Sequence, residues 1–273
     1  MEPVNRRTTY RHGAWYASIT LACQPQRACG SVSMAFDWGI ATFATIATDD
    51  GSMHLLDNPR FLTNGVEALT AAHRSRDNKQ QCSRGWQRAN RRVARLHDTI
   101  ARQCLDLHHK QSAQMVGAAG AIFTETLHVK NMTRRLKPQQ DAITGQPVPN
   151  GAAAKAGLNK AILDGAPAQS LGILRYKAAE AGLVYAEAPT SQLKPSQTWH
   201  QCGRRAKQAL SVRWHSCPCG VSCGRDMNAA LVVLDWGVAH FRAVLLAWLW
   251  LYTLVSAKSG SLSAVEGPWP GVL

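Results

Sequence analysis

The amino-acid sequence predicts an α/β layer fold, because short segments with strand patterning precede, alternate with and follow longer segments with helical patterning. Its apolar content of 45% over 273 residues is enough to bury a sizeable core. A chain of this length fits one domain with inserts or two small domains. Three of the predicted elements also carry a lone carboxylate, and these carboxylates are candidates for a metal-binding site.

The first predicted strands lie near the beginning of the chain. Residues 15–21 alternate in strand fashion, and residues 32–46 are predicted to form a second, longer strand. That strand ends before Asp49-Asp50-Gly51, which is a hairpin signal. Alternation along it places Asp37 on the face opposite to Met34 and Phe36, beside small side chains. A lone acidic residue in a strand is often only a solvated one, and this alternative stays open.

Residues 67–116 are predicted to form a long amphipathic helix with an apolar stripe on one face and arginines on the other. Guanidinium groups spaced along a helix can follow a phosphate backbone, and arginine suits bidentate phosphate contacts. We call this set the arginine rail, and interpret it as nucleic-acid-binding; a solvated helix face is the alternative. Its members are Arg84, Arg88, Arg91, Arg95 and Arg102.

The second half of the chain continues the alternation of strands and helices. A short apolar run over 118–125 predicts a strand that ends at Glu125, where a sheet would open to a cleft. Residues 130–151 are rich in proline, glycine and basic residues and are predicted to be a loop. A helical pattern over 159–181 and a strand over 182–186 follow.

Four of the eight cysteines lie close together near the end of the chain, directly before a predicted helix that begins with Asp226. These four are Cys202, Cys217, Cys219 and Cys223. The beginning of the chain is polar and basic and has no apolar leader pattern, which favours a reducing cytoplasm and metal binding over disulfides. The apolar run over 243–255 is shorter than the ~20 residues that a bilayer requires. It is interpreted as a buried or partner-facing helix, with membrane contact as the less favoured alternative.

The charge balance indicates a polyanionic partner. The chain has 31 Lys and Arg against 17 Asp and Glu, a net charge of +14. Phosphate contacts supply most of the sequence-independent affinity for nucleic acid, so DNA or RNA is the expected partner. A solvated basic surface is the alternative.

The three lone carboxylates are Asp37, Glu125 and Asp226, each in a separate predicted element. Two-metal hydrolysis of phosphodiesters uses two ions about 3.5–4 Å apart, and shared carboxylates are suitable hard ligands for Mg²⁺ or Mn²⁺. None of these residues alone indicates such a site. Together they predict metal-dependent catalysis on a nucleic acid.

Several spaced segments then resemble, in order, the transposon-encoded TnpB (OrfB) family, which is related to the type V CRISPR effector nucleases. The similar segments are Phe36-Asp37-Trp38-Gly39-Ile40, Arg92-Val93-Ala94-Arg95-Leu96-His97, Thr124-Glu125-Thr126-Leu127, Gly157-Leu158-Asn159-Lys160, Tyr176-Lys177-Ala178, Pro195-Ser196-Gln197-Thr198 and Arg225-Asp226-Met227-Asn228-Ala229-Ala230. The resemblance covers roughly residues 15–236.

The resemblance implies an RNase H-like (RuvC-like) mixed sheet with a long helical insert and a small zinc-ribbon-like insert. It also implies an RNA-guided DNA endonuclease in the bacterial cytoplasm at the nucleoid, with Asp37, Glu125 and Asp226 as catalytic metal ligands and a guide RNA as partner. Arg225 is added as a candidate nucleic-acid contact. The expected organisation is a remnant of a preceding β region (1–31), the nuclease core (32–195) with its helical insert (about 60–117), the ribbon (196–224), the last catalytic helix (225–240) and an apolar tail (241–273).

Two departures from the family pattern qualify these expectations. Trp199 and Ser216 stand where the ribbon's first and third cysteines are expected. Cys202, Cys217, Cys219 and Cys223 are therefore only a candidate zinc set, with His200 or His215 as a replacement ligand; a ribbon without metal is the alternative. The family's recognition region before residue 15 is also expected to be truncated here. A non-catalytic nucleic-acid-binding remnant is therefore the second hypothesis for the whole chain.

Overall fold

The computed structural model describes residues 3–11, 13–22, 27–209 and 211–259, and the side chains of residues 5–242 within those ranges. The elements in chain order are β1 (Pro3–Arg11), β2 (Ala14–Leu21), β3 (Val32–Trp38), β4 (Thr42–Thr48), β5 (Met53–Asp57), α1 (Phe61–Asp77), α2 (Arg84–Ala118), β6 (Ala119–Glu125), α3 (Val129–Met132), β7 (Gln139–Gln140), β8 (Pro147–Val148), α4 (Ala152–Asp164), α5 (Pro167–Ala181), β9 (Val184–Ala188), α6 (Thr190–Leu193), a 3₁₀ turn (Pro195–Gln197), β10 (Trp214–Ser216), β11 (Ser222–Gly224) and α7 (Arg225–Ser259).

A five-stranded mixed sheet forms the centre of the fold, with the strand order β5-β4-β3-β6-β9. The first three strands of the sheet in sequence are antiparallel neighbours, whereas β6 runs parallel to both β3 and β9. Three antiparallel pairs in the described part of the chain, β1-β2, β7-β8 and β10-β11, lie outside this sheet. The α/β class predicted from the sequence is confirmed.

The sheet is covered on both faces, because its strands alternate between two apolar clusters. Met34 and Phe36 of β3 belong to one cluster, which also contains Leu171 and Leu174 of α5. Ala35 of β3 belongs to the other cluster, together with Phe123 of β6 and with Ala230, Val233 and Leu234 of α7. At Gly237, helix and sheet approach so closely that an added Cβ would lie 2.2 Å from the Phe123 ring. Glycine is therefore required where α7 crosses β6.

The single long strand predicted for residues 32–46 is wrong. The structure has two antiparallel strands there, β3 and β4, joined by a tight turn at Gly39. The Gly39 N–H donates to the carbonyl of Phe43 at 3.2 Å, and a Cβ on Gly39 would lie 2.5 Å from the carbonyl oxygen of Thr42. Only glycine allows the chain to reverse this closely. The hairpin predicted at Asp49-Asp50-Gly51 is present, with Gly51 at a positive φ of 83°.

The predicted helix over 67–116 is two helices, α1 and α2. The chain breaks between them at Cys82, which adopts a left-handed φ of 64°, and the Ser83 hydroxyl then caps α2 by accepting from the Trp86 N–H at 3.1 Å. The helical pattern over 159–181 is also divided, into α4 and α5. Pro167 starts the second of these helices, because proline suits the first turn of a helix but not its interior.

Asp164 ties α4 to the beginning of α1. Its carboxylate accepts from the N–H groups of Leu62 and Thr63 at 2.8 and 3.0 Å and from the Thr63 hydroxyl at 2.8 Å. The loop predicted over 130–151 is mostly irregular, but it also contains α3 and the small β7-β8 pair.

The apolar run over 243–255 lies within α7, and its side chains are outside the described part of the chain. Among the residues that were described, none forms a helix with both the length and the apolar character needed to span a membrane.

Candidate functional site

Asp37 and Glu125 lie side by side on neighbouring strands. The parallel pairing of β3 with β6 sets Phe36 opposite Thr124, and the two carboxylates occupy the next position on each strand. Asp37 lies two residues after Ala35, and Glu125 lies two residues after Phe123, so each acid is on the same face of its strand as that apolar residue. Ala35 and Phe123 both pack against α7. Both acidic side chains therefore belong to the sheet face that α7 covers.

Asp226 reaches this place from a different element. It lies in the first turn of α7, whose following residues Ala230 and Val233 pack on the same face of the sheet. A carboxylate in the first turn of a helix is favoured by the helix dipole. The fold thus brings together three acids that are separated by 88 and 101 residues along the chain.

The electrostatics of the site show that the three carboxylates interact. Burial raises the pKa of Asp37 well above its usual value, and the negative charges of Glu125 and Asp226 raise it further. The nearby Arg225 guanidinium acts in the opposite direction on the pKa of Asp37. Burial also raises the pKa of Glu125, to about 7. Neighbouring carboxylates with raised pKa values oppose ionising together, because their negative charges repel one another. Bound cations would compensate this charge, as expected for a group of metal ligands.

The three acids are not drawn as tightly together as the ligands of one small cation would be. Within the described ranges, one group of three ligand-type side chains has all its ligand atoms within 4.8 Å of one another, and it is a set of cysteines, not these acids. Asp37 is influenced by both other acids, which makes it the central member. Two hard cations that share Asp37 would be compatible with this arrangement.

Arg225 and Asn228 connect the site to the ribbon segment before it. The Arg225 side chain donates to the carbonyl of Ala209 at 3.2 Å, and its backbone N–H donates to the carbonyl of Arg213 at 2.9 Å. Asn228 is fully buried; its amide donates to the carbonyl of Thr198 at 2.6 Å, and its oxygen accepts from the His200 N–H at 3.2 Å. Asn228 therefore fastens the ribbon onto the first turns of α7.

The candidate zinc ligands are only partly brought together. The sulfur atoms of Cys202, Cys217 and Cys219 lie within 4.8 Å of one another, and the first two are 3.5 Å apart. The hydrogen bond from the Cys217 thiol, followed by that from the Val221 N–H, lowers the pKa of Cys219. Cys223 is not a member of this group and pairs with His215 across β10 and β11.

An aromatic pair occupies the interior of the ribbon. The ring centroids of Trp199 and His215 are 5.3 Å apart, and both side chains are buried. Trp199, at the position of the family's first cysteine, thus serves as a packing residue. A ribbon with three clustered thiols and an aromatic core was not foreseeable from cysteine spacing alone.

The arginine rail is exposed along α2, but a second element contacts its later part. Arg102 donates to the Tyr16 hydroxyl and forms an ion pair with Asp98 at 2.8 Å, and its guanidinium lies 4.7 Å from the centre of the Tyr16 ring. Arg95 lies against Gly13, where an added Cβ would be 2.5 Å from its Nη2 atom. The β1-β2 hairpin therefore lies over the rail at Arg95 and Arg102. Sequence reasoning missed this contact, which joins residues 86 positions apart.

The sheet order, the carboxylates at neighbouring strand positions and the helix that closes over them define an α/β protein of the RNase H-like (RuvC-like) class. Comparison with known proteins then identifies the family. Residues 18–136 match the OrfB_IS605 model, described as "Probable transposase", and residues 168–233 match the model "Cas12f1-like, TNB domain". These two matches confirm the resemblance to the TnpB (OrfB) family of transposon-encoded proteins that was found in the sequence.

Two curated relatives are similar over most of this chain. A "Putative RNA-guided DNA endonuclease" of Streptomyces pristinaespiralis is 30% identical over 84% of the chain and 51% of the relative. The "Putative RNA-guided DNA endonuclease InsQ" of Escherichia coli (strain K12) is 30% identical over 83% of the chain and 55% of the relative. The chain spans about half the length of these relatives.

Solved structures whose backbone is similar to this chain include a Cas12f1-sgRNA-target DNA complex, at a TM-score of 0.49 and 14% sequence identity. That likeness covers 84% of this chain and 55% of the other. A CRISPR-Cas12f ternary complex follows at a TM-score of 0.48 and 14% identity, covering 80% of this chain and 41% of the other.

Proposed function

We propose that this chain is a metal-dependent DNA endonuclease guided by RNA, with Asp37, Glu125 and Asp226 as its catalytic acids. The observation that supports the proposal is that Asp37 and Glu125 lie on one sheet face beside Asp226 of α7, with the pKa values of Asp37 and Glu125 both raised. The printed names of the two curated relatives support the same activity. DNA as substrate would also associate the protein with the bacterial nucleoid.

The three acids would hold Mg²⁺ or Mn²⁺, ions that favour carboxylate oxygens. Bound divalent ions would supply activation of water and compensation of charge on the phosphodiester. Asp37, whose pKa both other acids raise, would hold the ions together with Glu125 and Asp226. Burial against α7 would keep the carboxylates in place and limit competing water. Arg225 would contribute positive charge beside Asp37 and a contact for a backbone phosphate.

The arginine rail would hold the nucleic acid outside this site. Arg84, Arg88 and Arg91 are exposed on the part of α2 nearest its beginning, and Arg95 and Arg102, which are also exposed, contact the β1-β2 hairpin. Exposed guanidinium groups would follow a phosphate backbone there without reading its sequence.

A cleavage assay tests the proposed activity. Purified protein is incubated with end-labelled single-stranded and double-stranded DNA, with Mg²⁺ or EDTA, and with or without RNA transcribed from its own locus. We expect Mg²⁺-dependent cleavage that increases when the RNA is present. Salt-sensitive binding of nucleic acid without any cleavage would instead support the non-catalytic binding protein.

We also propose that the ribbon binds one zinc ion through Cys202, Cys217 and Cys219. Zinc takes four ligands, and three thiolates within 4.8 Å of one another supply most of such a set. The pKa of Cys219 is lowered but that of Cys217 is raised, so a bound zinc ion would itself displace the proton of the Cys217 thiol.

The zinc content of purified variants, measured by mass spectrometry, tests this ligand set. We expect about one zinc ion per chain in the wild type. Substitution of any of the three clustered cysteines by serine should remove most of it. Cys223→Ser is the matched control and should retain the metal. A wild-type protein without zinc, or equal losses in all four variants, would overturn the proposal.

A further inference from the structure

A basic pocket lies beyond the end of β6, formed where the segment after α3 meets the first turn of α4. Its volume is about 360 Å³, and it is lined by Asn131, Arg134, Arg135, Leu136, Lys137 and Lys155. Four of these six side chains are cationic, and no acidic side chain lines the pocket. The pocket is separate from the carboxylate site and from the arginine rail.

Three side chains from the α4 side hold the backbone that carries these cations. Lys155 donates to the carbonyl of Met132, and Asn159, which is buried, donates to the carbonyl of Thr133 at 2.8 Å. Asn150 donates to the carbonyl of Lys137 at 2.6 Å. The segment is thus fastened at both of its ends. A fixed backbone lowers the entropic cost of ordering the arginine and lysine side chains around a ligand.

The positive charge of the pocket is not compensated within the described part of the chain. Of the ion pairs found there, none involves Arg134, Arg135, Lys137 or Lys155. The nearest acid in sequence, Asp141, accepts hydrogen bonds from Thr144 and Ile143 within its own turn. Cations that line one pocket repel one another, so an anion bound there would be stabilised by the cations near it. Arginine favours phosphate, because its guanidinium can form two parallel hydrogen bonds with it.

The pocket is close to the carboxylate site along the chain. Arg134 and Arg135 follow Glu125 by nine and ten residues, part of which form the short helix α3. Ten residues span at most about 35 Å. A B-form strand has one phosphate per about 3.4 Å of axial rise, so this reach covers about ten nucleotides.

We propose that this pocket binds one backbone phosphate of the DNA strand that enters the carboxylate site, within about ten nucleotides of the bond that is cut. The inference rests on the proposed nuclease function. In this proposal the pocket provides a preorganised phosphate contact, which fixes the position of the DNA strand along the carboxylate site. Such a contact positions the substrate and is insensitive to base sequence.

The salt dependence of DNA binding tests the pocket without requiring cleavage. Binding of a labelled single-stranded oligonucleotide is measured in EDTA over a range of salt concentrations. We expect Arg134→Ala/Arg135→Ala to reduce the slope of log K against log salt by about 0.7 to 1. The matched control is Arg74→Ala/Lys160→Ala, which removes two exposed charges from α1 and α4 outside the pocket. It should leave the slope close to that of the wild type.

A scan with neutral methylphosphonate linkages locates the contact. One substituted position should weaken binding to the wild type and have no effect on the pocket variant, because that variant has already lost the contact. Equal slopes for the pocket and control variants, or the absence of such a position, would overturn the inference. A protein that cuts DNA but gives equal slopes refutes the pocket alone. A protein that never cuts but shows the pocket effect refutes the nuclease proposal alone.

Discussion

Asp37→Asn should reduce Mg²⁺-dependent DNA cleavage about a thousandfold or more while leaving the protein folded. The substitution removes the charge of the central acid with almost no change of volume. Loss of a shared metal ligand removes several kcal/mol of transition-state stabilisation, and each 1.36 kcal/mol corresponds to a factor of ten in rate. The measurement is the single-turnover cleavage rate with saturating Mg²⁺.

DNA binding by the same variant separates catalysis from recognition. Removal of a negative charge from a site that phosphates approach should leave the affinity in EDTA unchanged or raise it slightly. Asp106→Asn is the matched control, because Asp106 is an exposed acid on α2 that pairs only with Lys110 among the described residues. That control should cleave at the wild-type rate. Undiminished cleavage by Asp37→Asn would show that the catalytic acids lie elsewhere.

The stability of the metal-free protein should fall as the pH rises from about 4.5 to about 7, because Glu125 must lose its proton in a buried position. Its pKa is raised from 4.5 to about 7 in the folded state, so the folded protein binds more protons than the unfolded chain in this window. Unfolding free energy therefore decreases with rising pH there, by about 3 kcal/mol for a shift of this size. The raised pKa of Asp37 acts in the same direction.

Denaturant unfolding in EDTA at several pH values measures this linkage. Glu125→Gln should remove the part of the decline that Glu125 causes and leave the part that Asp37 causes, so that the variant exceeds the wild type in stability at pH 8 although it cannot support cleavage. Glu67→Gln alters an exposed acid of α1 and should keep the wild-type pH profile. Addition of Mg²⁺ at pH 8 should stabilise the wild type more than Glu125→Gln. If Glu125→Gln retained the full decline, the carboxylate would not be buried as described.

The positions of the strand acids follow from short-range patterns in the sequence. Alternation from Met34 and Phe36 sets Asp37 on the opposite face, and an apolar run that ends at Glu125 sets that residue at the end of a strand. Both rules depend only on the period of a β-strand, which is local. The resemblance to the family then predicted that Asp226 belongs to the same site. Strand or helix periodicity could not predict this, because periodicity relates only residues that are close in sequence.

Other features depend on contacts that single-sequence patterns do not encode. Position 39 must be glycine because a side chain there would collide with the carbonyl oxygen of Thr42. The break between α1 and α2 occurs at Cys82, which adopts a left-handed backbone that non-glycine residues seldom adopt. The hairpin over Arg102 joins residues 86 positions apart through Tyr16. The grouping of three cysteines without Cys223 depends on turn geometry within the ribbon. Each of these features depends on how distant or neighbouring segments meet in the folded protein.

The number of divalent ions bound at the carboxylates decides whether these three acids form a metal site. A titration with Mn²⁺ at pH 8, followed by electron paramagnetic resonance in the presence of DNA that carries a non-cleavable linkage, gives the number of ions per chain. We predict two bound ions for the wild type and a loss of at least one of them in Asp37→Asn, with Asp106→Asn unchanged. A wild-type protein that binds no Mn²⁺, or binds the same number of ions with similar affinity in Asp37→Asn, would contradict the assignment of these acids as a metal-dependent nuclease site.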